Sequence, residues 1–466
     1  MLVWVLSQFV NLFNKLFFVS QKNIKQNRKK RNEKIRLSIF LISSAFIVLG
    51  SQTVAMAQSS NAKTIAPIIS LLVLDEGQCP SVTSATTRTL ASAITSQADL
   101  NDLDGVTKIE GTLTISSLES TLDFAPLDSL IEVTGSVIFT DTGLTSISGF
   151  ECLASVGDNL DIVDNVELTS LPDFTVLKSI GNRLAISFND KLTSLPDFTA
   201  LTSIEAGLFI QNNDALISLP GFTSLTSIGS LSIGNNPALT SVQGFSALTT
   251  IATGLTIRGT SEDNGGLLIS ISGFEALKSI GSNLFIGSIS SLTSISGFEA
   301  LTSIGGRLDI STQRNLTSIS GFTALTSIGE FLTFQVNDVL TSLPEFAALT
   351  LIGESLIITD LRELTQLPSF ASLTSIGRDL NISSNTKLTS PLGFAALTSI
   401  GGRLVIRGNL ILTGLSDGIA SLDRGDIGGS IEINSNPQFD CSVPAPNFLP
   451  ADSSTSNAVD CDTNKS

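Results

Sequence analysis

The sequence predicts an all-β chain wound as a single parallel β-solenoid of about fourteen rungs with a 24-residue repeat, spanning residues 90–440 of 466. Three observations predict it. One phenylalanine recurs as Phe124, Phe150, Phe174, Phe198, Phe222, Phe245, Phe274, Phe298, Phe322, Phe346, Phe370 and Phe394, and eight of the eleven intervals are 24 residues. A fixed period of about 20 to 50 residues marks stacked repeats, because a unit that short cannot bury its own apolar side. Within the unit, Leu and Ile stand two apart, as in Leu160 and Ile162 or Leu404 and Ile406, which places both on one face of a strand. No stretch of the unit carries a helical apolar period, and its β-branched residues disfavour helix.

The elements follow in chain order. Nine of the 26 basic residues lie between Lys15 and Arg36, ahead of an apolar run at residues 37–49 and Ala55-Met56-Ala57. That order reads as a secretory signal peptide over residues 1–57, with a long basic region and cleavage before Gln58. The apolar start at residues 1–20 leaves other readings open, among them a second membrane segment or an uncleaved N-terminal anchor. Residues 58–89 form a linker and cap segment, and residues 441–466 a disulfide loop and polar tail. An even count of cysteines in an exported chain reads as disulfides. Position favours Cys79 with Cys152 and Cys441 with Cys461. Neither a C-x-x-C pair nor a His supports a metal or catalytic role for them.

Stacked coils place like residues about 4.8 Å apart, so the Leu and Ile positions form ladders and the phenylalanines an interior stack. Three residues after the Ile stands Asn165, Asn189, Asn213, Asn236, Asn337, Asn385, Asn409 or Asn436, whose amide can satisfy backbone groups of adjacent coils at a corner. The polar residues 259–266 read as a loop bulging from one coil.

Charge and composition restrict the chemistry. No His is present, which excludes His-dependent triads and His-ligated zinc. Past residue 57 the chain has 17 basic and 41 acidic residues, about −24, so nucleic acid and anionic membranes would be repelled at long range. No cofactor is expected.

The opening S-Q-A-D-L-N-D-L-D-G-V-T-K-I-E-G-T-L-T-I at residues 96–115 and the recurring L-T-S-I-x-G-F-x-A-L-T-S-I-G-G-x-L-x-I-x-x-N resemble the receptor L domain, a relative of leucine-rich repeats. The resemblance covers about residues 90–440, with Asn436-Pro437-Gln438-Phe439-Asp440-Cys441 similar to the family's closing turn. It implies a right-handed solenoid and extracellular binding without catalysis. The chain departs from the family in having one long array with no Cys-rich module, so no receptor ligand residue carries over.

Side chains that vary at an outward position are the candidates for binding. The middle residue of each L-x-I strand is outward: Thr114, Ile138, Asp161, Ala185, Phe209, Ser232, Thr256, Phe285, Asp309, Thr333, Ile357, Asn381, Val405 and Glu432. Phe209, Phe285, Asp161, Asp309, Ile357 and Asn381 are the ligand-face candidates. Three weaker motifs compete with them. Asp99 to Gly105 resembles a calcium loop but has Leu103 at a ligand position. Arg424-Gly425-Asp426 matches an adhesion tripeptide. The recurring Thr of L-T-S, from Thr193 to Thr389, could face a regular surface or could serve corner hydrogen bonding. No pair of carboxylates sits at equivalent positions in neighbouring coils with polar company, as a glycosidase cleft needs.

The resulting expectation is a non-catalytic binding module, secreted or on the cell surface with the periplasm also open, that recognises an extracellular protein or glycan through its strand face. A structural or adhesive surface layer is the alternative, and a polysaccharide-active β-helix enzyme a more distant one. Mass spectrometry of native protein should find Gln58 at the N-terminus, with very weak absorbance at 280 nm because Trp4 is removed and no Tyr exists. Recovery of full-length chain from membranes would overturn the cleavage.

Overall fold

The computed structural model describes residues 79, 86–117, 120–259, 266–389, 393–440, 447 and 458–459, all within one compact unit, Cys79–Ser466. The expected signal segment, Cys441, Cys461 and most of the 259–266 loop lie outside the described residues.

The coils carry two short runs of extended backbone, and some of them a third. The first is the L-x-I strand: fourteen of these, from Leu113–Ile115 to Ile431–Asn434, pair in parallel, each directly over the last. A second rank of two-residue S-I strands, such as Ser303–Ile304 and Ser327–Ile328, pairs in the same way just upstream. A third lies where the chain approaches Phe, as the four-stranded sheet of Ser241–Val242, Ser270–Ile271, Ser294–Ile295 and Ser318–Ile319. The parallel solenoid, the 24-residue spacing and the number of rungs therefore agree with the sequence reading. Further strands pair onto both ends of the array, Thr87–Thr89 against Lys108–Glu110 and Ala458–Val459 against Ile431–Asn434.

Inside, all twelve repeat phenylalanines are buried or nearly so, and from Phe174 to Phe322 their centroids lie 5.2–5.5 Å apart with planes within 10° of parallel. The stack tilts only where a second ring intrudes. Phe139 replaces the usual Ile and meets Phe150 edge-on at 5.7 Å, and Phe334 lies 6.1 Å from Phe346.

Three corners close each coil, and each has its own chemistry. Between the S-I and L-x-I strands, a Cβ on Gly181, Gly305, Gly329, Gly353, Gly377 or Gly401 would sit 1.9–2.2 Å from the carbonyl oxygen of the residue one coil below. Only glycine permits that approach. Where the next coil is one residue short at this corner, the backbone straightens into the continuous strand Ser227–Gly234, and its neighbour Ser203–Gln211 absorbs the mismatch as a bulge between Ile204 and Gly207.

The second corner follows the L-x-I strand. Asn189 Oδ1 accepts the Asn165 N–H at 3.2 Å, while its Nδ2 donates to the carbonyls of Ile162 at 2.9 Å and Ser187 at 3.1 Å. Asn213, Asn236, Asn337, Asn385, Asn409 and Asn436 repeat the pattern, each buried. Their role is structural. The residue just before this position is left-handed in most coils, at φ 52–60° in eleven non-glycine residues that include Phe188 and Val336. Such a conformation costs a non-glycine residue roughly 1–2 kcal/mol, which the buried amide bonds offset. At the third corner the chain turns through Gly149, Gly244, Gly273, Gly297, Gly321 and Gly393, all at positive φ, just before Phe.

Phe298→Ala should cost about 3–5 kcal/mol, because it deletes a ring stacked on both sides. Phe209→Ala, on the half-buried outer face, should cost clearly less. Equal shifts of the urea midpoint in the two variants would mean that inner and outer faces are misassigned.

Candidate binding face

The outward side of the long sheet is a field of side chains in fixed register. Its central column runs Thr114, Ile138, Asp161, Ala185, Phe209, Ser232, Thr256, Phe285, Asp309, Thr333, Ile357, Asn381, Val405, Glu432, one residue per rung. Strand alternation makes the residues just before each Leu and just after each Ile outward as well.

The candidates do not all present themselves equally. Asp161 is only 6% exposed, and Arg183 grips its carboxylate with Nε at 2.9 Å and Nη2 at 3.0 Å, so its charge is met within the protein. The same hydrogen bonds, with smaller electrostatic contributions from Asp161 and Asp158, hold the Arg183 guanidinium above its ordinary pKa despite partial burial. Asp309 accepts the Ser311 hydroxyl at 2.7 Å, and Asn381 that of Ser383. Ile357 is half-buried.

Phe209 and Phe285 are half-buried, and both lie near a glycine. A Cβ on Gly287 would meet the Phe285 ring at 2.3 Å, so the ring lies down across that glycine, and the Arg307 guanidinium stands 5.8 Å from its centroid. The two phenylalanines are three rungs apart in one column, about 14 Å by strand spacing.

Sequence reasoning missed the arginines. Arg183, Arg258, Arg307, Arg403 and Arg407 all flank the central column, and the same alternation that picked out the middle residues could have found them. Arg258 lines a small crevice together with Pro237, Leu268, Ser288 and Ser291.

The weaker motifs are absorbed by the fold. Asp99 accepts the N–H groups of Thr95 and Ser96, both at 2.9 Å, and closes a capping box on the helix Gln97–Asn101, while Leu103 is fully buried. Those bonds, the Thr95 backbone bond foremost, hold its carboxyl below the ordinary value. In Arg424-Gly425-Asp426, Asp426 accepts the Asp423 N–H at 2.8 Å and Arg424 donates to the Ile427 carbonyl, which ties both charges into a local turn. The Thr hydroxyls donate along the stack, as Thr317 does to Thr293 O and Thr389 to Thr365 O, both at 3.1 Å. Cys79 is joined to Cys152, with Cα atoms 5.3 Å apart.

No family model matches the chain, and no characterised protein matches its sequence. Among solved structures it is similar to a leucine-rich repeat protein from Bacteroides ovatus, at 14% identity over 79% of this chain and 91% of that one, with a TM-score of 0.18. The ladders themselves carry the assignment of the fold, a parallel β-solenoid. The narrower resemblance to the receptor L domain rests on the residues quoted for it.

Arg403 and Asp379 form the second paired site on this face, with Nη2 3.0 Å from Oδ2 and the Arg403 N–H 2.7 Å from Oδ1. Burial would raise the Asp379 carboxyl, but the hydrogen bonds from Arg403 and the charges of Arg403 and Arg378 outweigh it and hold the group below 3.8. A lowered folded pKa gives stability that is complete above the unfolded value and lost as pH falls through the folded one. Asp379→Asn should therefore flatten the acid limb of the stability curve, while costing under about 1 kcal/mol near neutrality because the pair is partly exposed. Unchanged acid dependence in urea titrations would show that the pair contributes nothing.

Proposed function

We propose that the protein is an exported, non-catalytic binding module, secreted or held at the cell surface, that recognises a protein or glycan through the outer face of its long sheet. The observation that carries this reading is the contrast between columns. Interior Leu, Ile, Phe and Asn positions repeat from coil to coil, whereas the outward central column changes at almost every rung and includes two phenylalanines. Variation on a rigid, repetitive support is how a solenoid acquires a specific surface, and outward aromatic rings offer contact area at little conformational cost. The signal-like N-terminus and the Cys79–Cys152 bond support export.

A passive surface layer is the second reading, and the regular Thr and Ser ranks favour it. Replacing Phe209 and Phe285 together by Ser separates the two. On the module reading, the variant melts close to wild type and loses at least about tenfold in attachment to ligands found on a glycan array or on extracellular protein. Attachment that is undiminished in the double variant would remove the strand face as the site.

A further inference from the structure

The arginines of the strand face fall into two groups. Arg183 and Arg403 are neutralised by Asp161 and Asp379. Arg258, Arg307 and Arg407 have no carboxylate within ion-pair distance among the described residues. Arg407 stands toward the C-terminal end, but Arg258 and Arg307 flank Phe285 in the middle of the face. They stand out in a chain that carries about −24 past its signal segment.

Both are held down against the sheet. Arg258 lies between Gly234 and Gly287 in register, and a Cβ on Gly234 would come within 2.9 Å of its Cγ and 3.2 Å of its Nε. The glycine thus leaves a trough in which the side chain rests. Arg307 is placed over the Phe285 ring, itself laid across Gly287. Two exposed guanidinium groups thus rest against the sheet with no ion-pair partner among the described residues. Around them the face is rich in hydrogen-bonding groups: Ser232, Thr256, Asn283 and Gln335. The nearby carboxylate of Asp309 is engaged by Ser311.

We infer that this stretch, from Phe209 to Arg307, binds a polysaccharide that carries carboxylates at intervals among neutral sugars, with Arg258 and Arg307 each taking a carboxylate. The inference rests on the strand face being the binding surface. A guanidinium fork matches a carboxylate in geometry and charge, and the surrounding hydroxyl and amide groups match sugar hydroxyls. The carboxylates must be sparse, because the acidic body repels a densely charged polyanion. A peptide finds less here: the backbone groups of these strands are paired on both sides, which leaves no ladder for an added strand.

The test compares full-length mature protein with the R258Q/R307Q variant, using R362Q, an arginine placed at a corner, as control. The probes are immobilised gellan, which bears one uronate per repeat unit, its carboxyl-reduced form, heparin and poly-glutamate. Binding to gellan over the reduced form, lost by at least about tenfold in R258Q/R307Q and kept in R362Q at equal melting temperatures, supports the inference. Equal binding to both gellan forms, or binding indifferent to R258Q/R307Q, overturns it while leaving the strand face intact as a site. Preference for poly-glutamate or heparin, or no binding to gellan at all, overturns it as well. Loss of all attachment in the Phe209/Phe285 variant with none in R258Q/R307Q would keep the face and reject the carboxylate.

Discussion

Everything in this molecule depends on the spacing between hydrogen-bonded strands, about 4.8 Å, applied to every part of a coil at once. Because each residue sits over its own counterpart, an interior side chain that repeats from coil to coil must pack against a copy of itself. Phenylalanine passes that test by stacking, as in the near-parallel run from Phe174 to Phe322. Glycine passes it where carbonyls of the coil below come within 2.2 Å of a would-be Cβ. Asparagine passes it because one amide can accept from the coil beneath and donate to a strand carbonyl there, so a column of identical residues satisfies itself.

The same constraint governs charge. Stacking like charges is unfavourable, and at several positions opposite charges meet across adjacent coils. Lys191 meets Glu167 and Lys387 meets Glu363, each at 2.6 Å between adjacent coils, while Arg378 meets Glu354 at 3.3 Å. Such exposed pairs are individually weak, yet they oppose slippage of one coil against the next. Arg258 and Arg307 have no such partner among the described residues. Their neighbourhood is also where the coils are least uniform, with the bulge at Ile204 to Gly207, the shortened coil after it and the 259–266 insertion all within a few rungs.

Strain is spread over the array rather than stored at one point. The left-handed residue recurs in coil after coil, and where an Asn follows it the buried amide meets its cost locally. Phe188 and Val336 take this conformation without the short polar side chain that eases it, and Phe188 does so while 47% exposed. Nothing in the packing accounts for a phenylalanine there.

The sequence by itself determined what is periodic. Residues separated by 24 positions must superpose, so the Phe stack, the Leu and Ile ladders, the Asn column and even which of fourteen residues share the outer column were legible from spacing alone. Only the tertiary structure decided what breaks the period. Whether Asp161 faces a ligand or Arg183, whether Phe285 stands up or lies across Gly287, and which arginines have an ion-pair partner depend on contacts between different residues of neighbouring coils. A repeat pattern says which residues are neighbours, but not which way a long side chain turns once it has several neighbours to choose from.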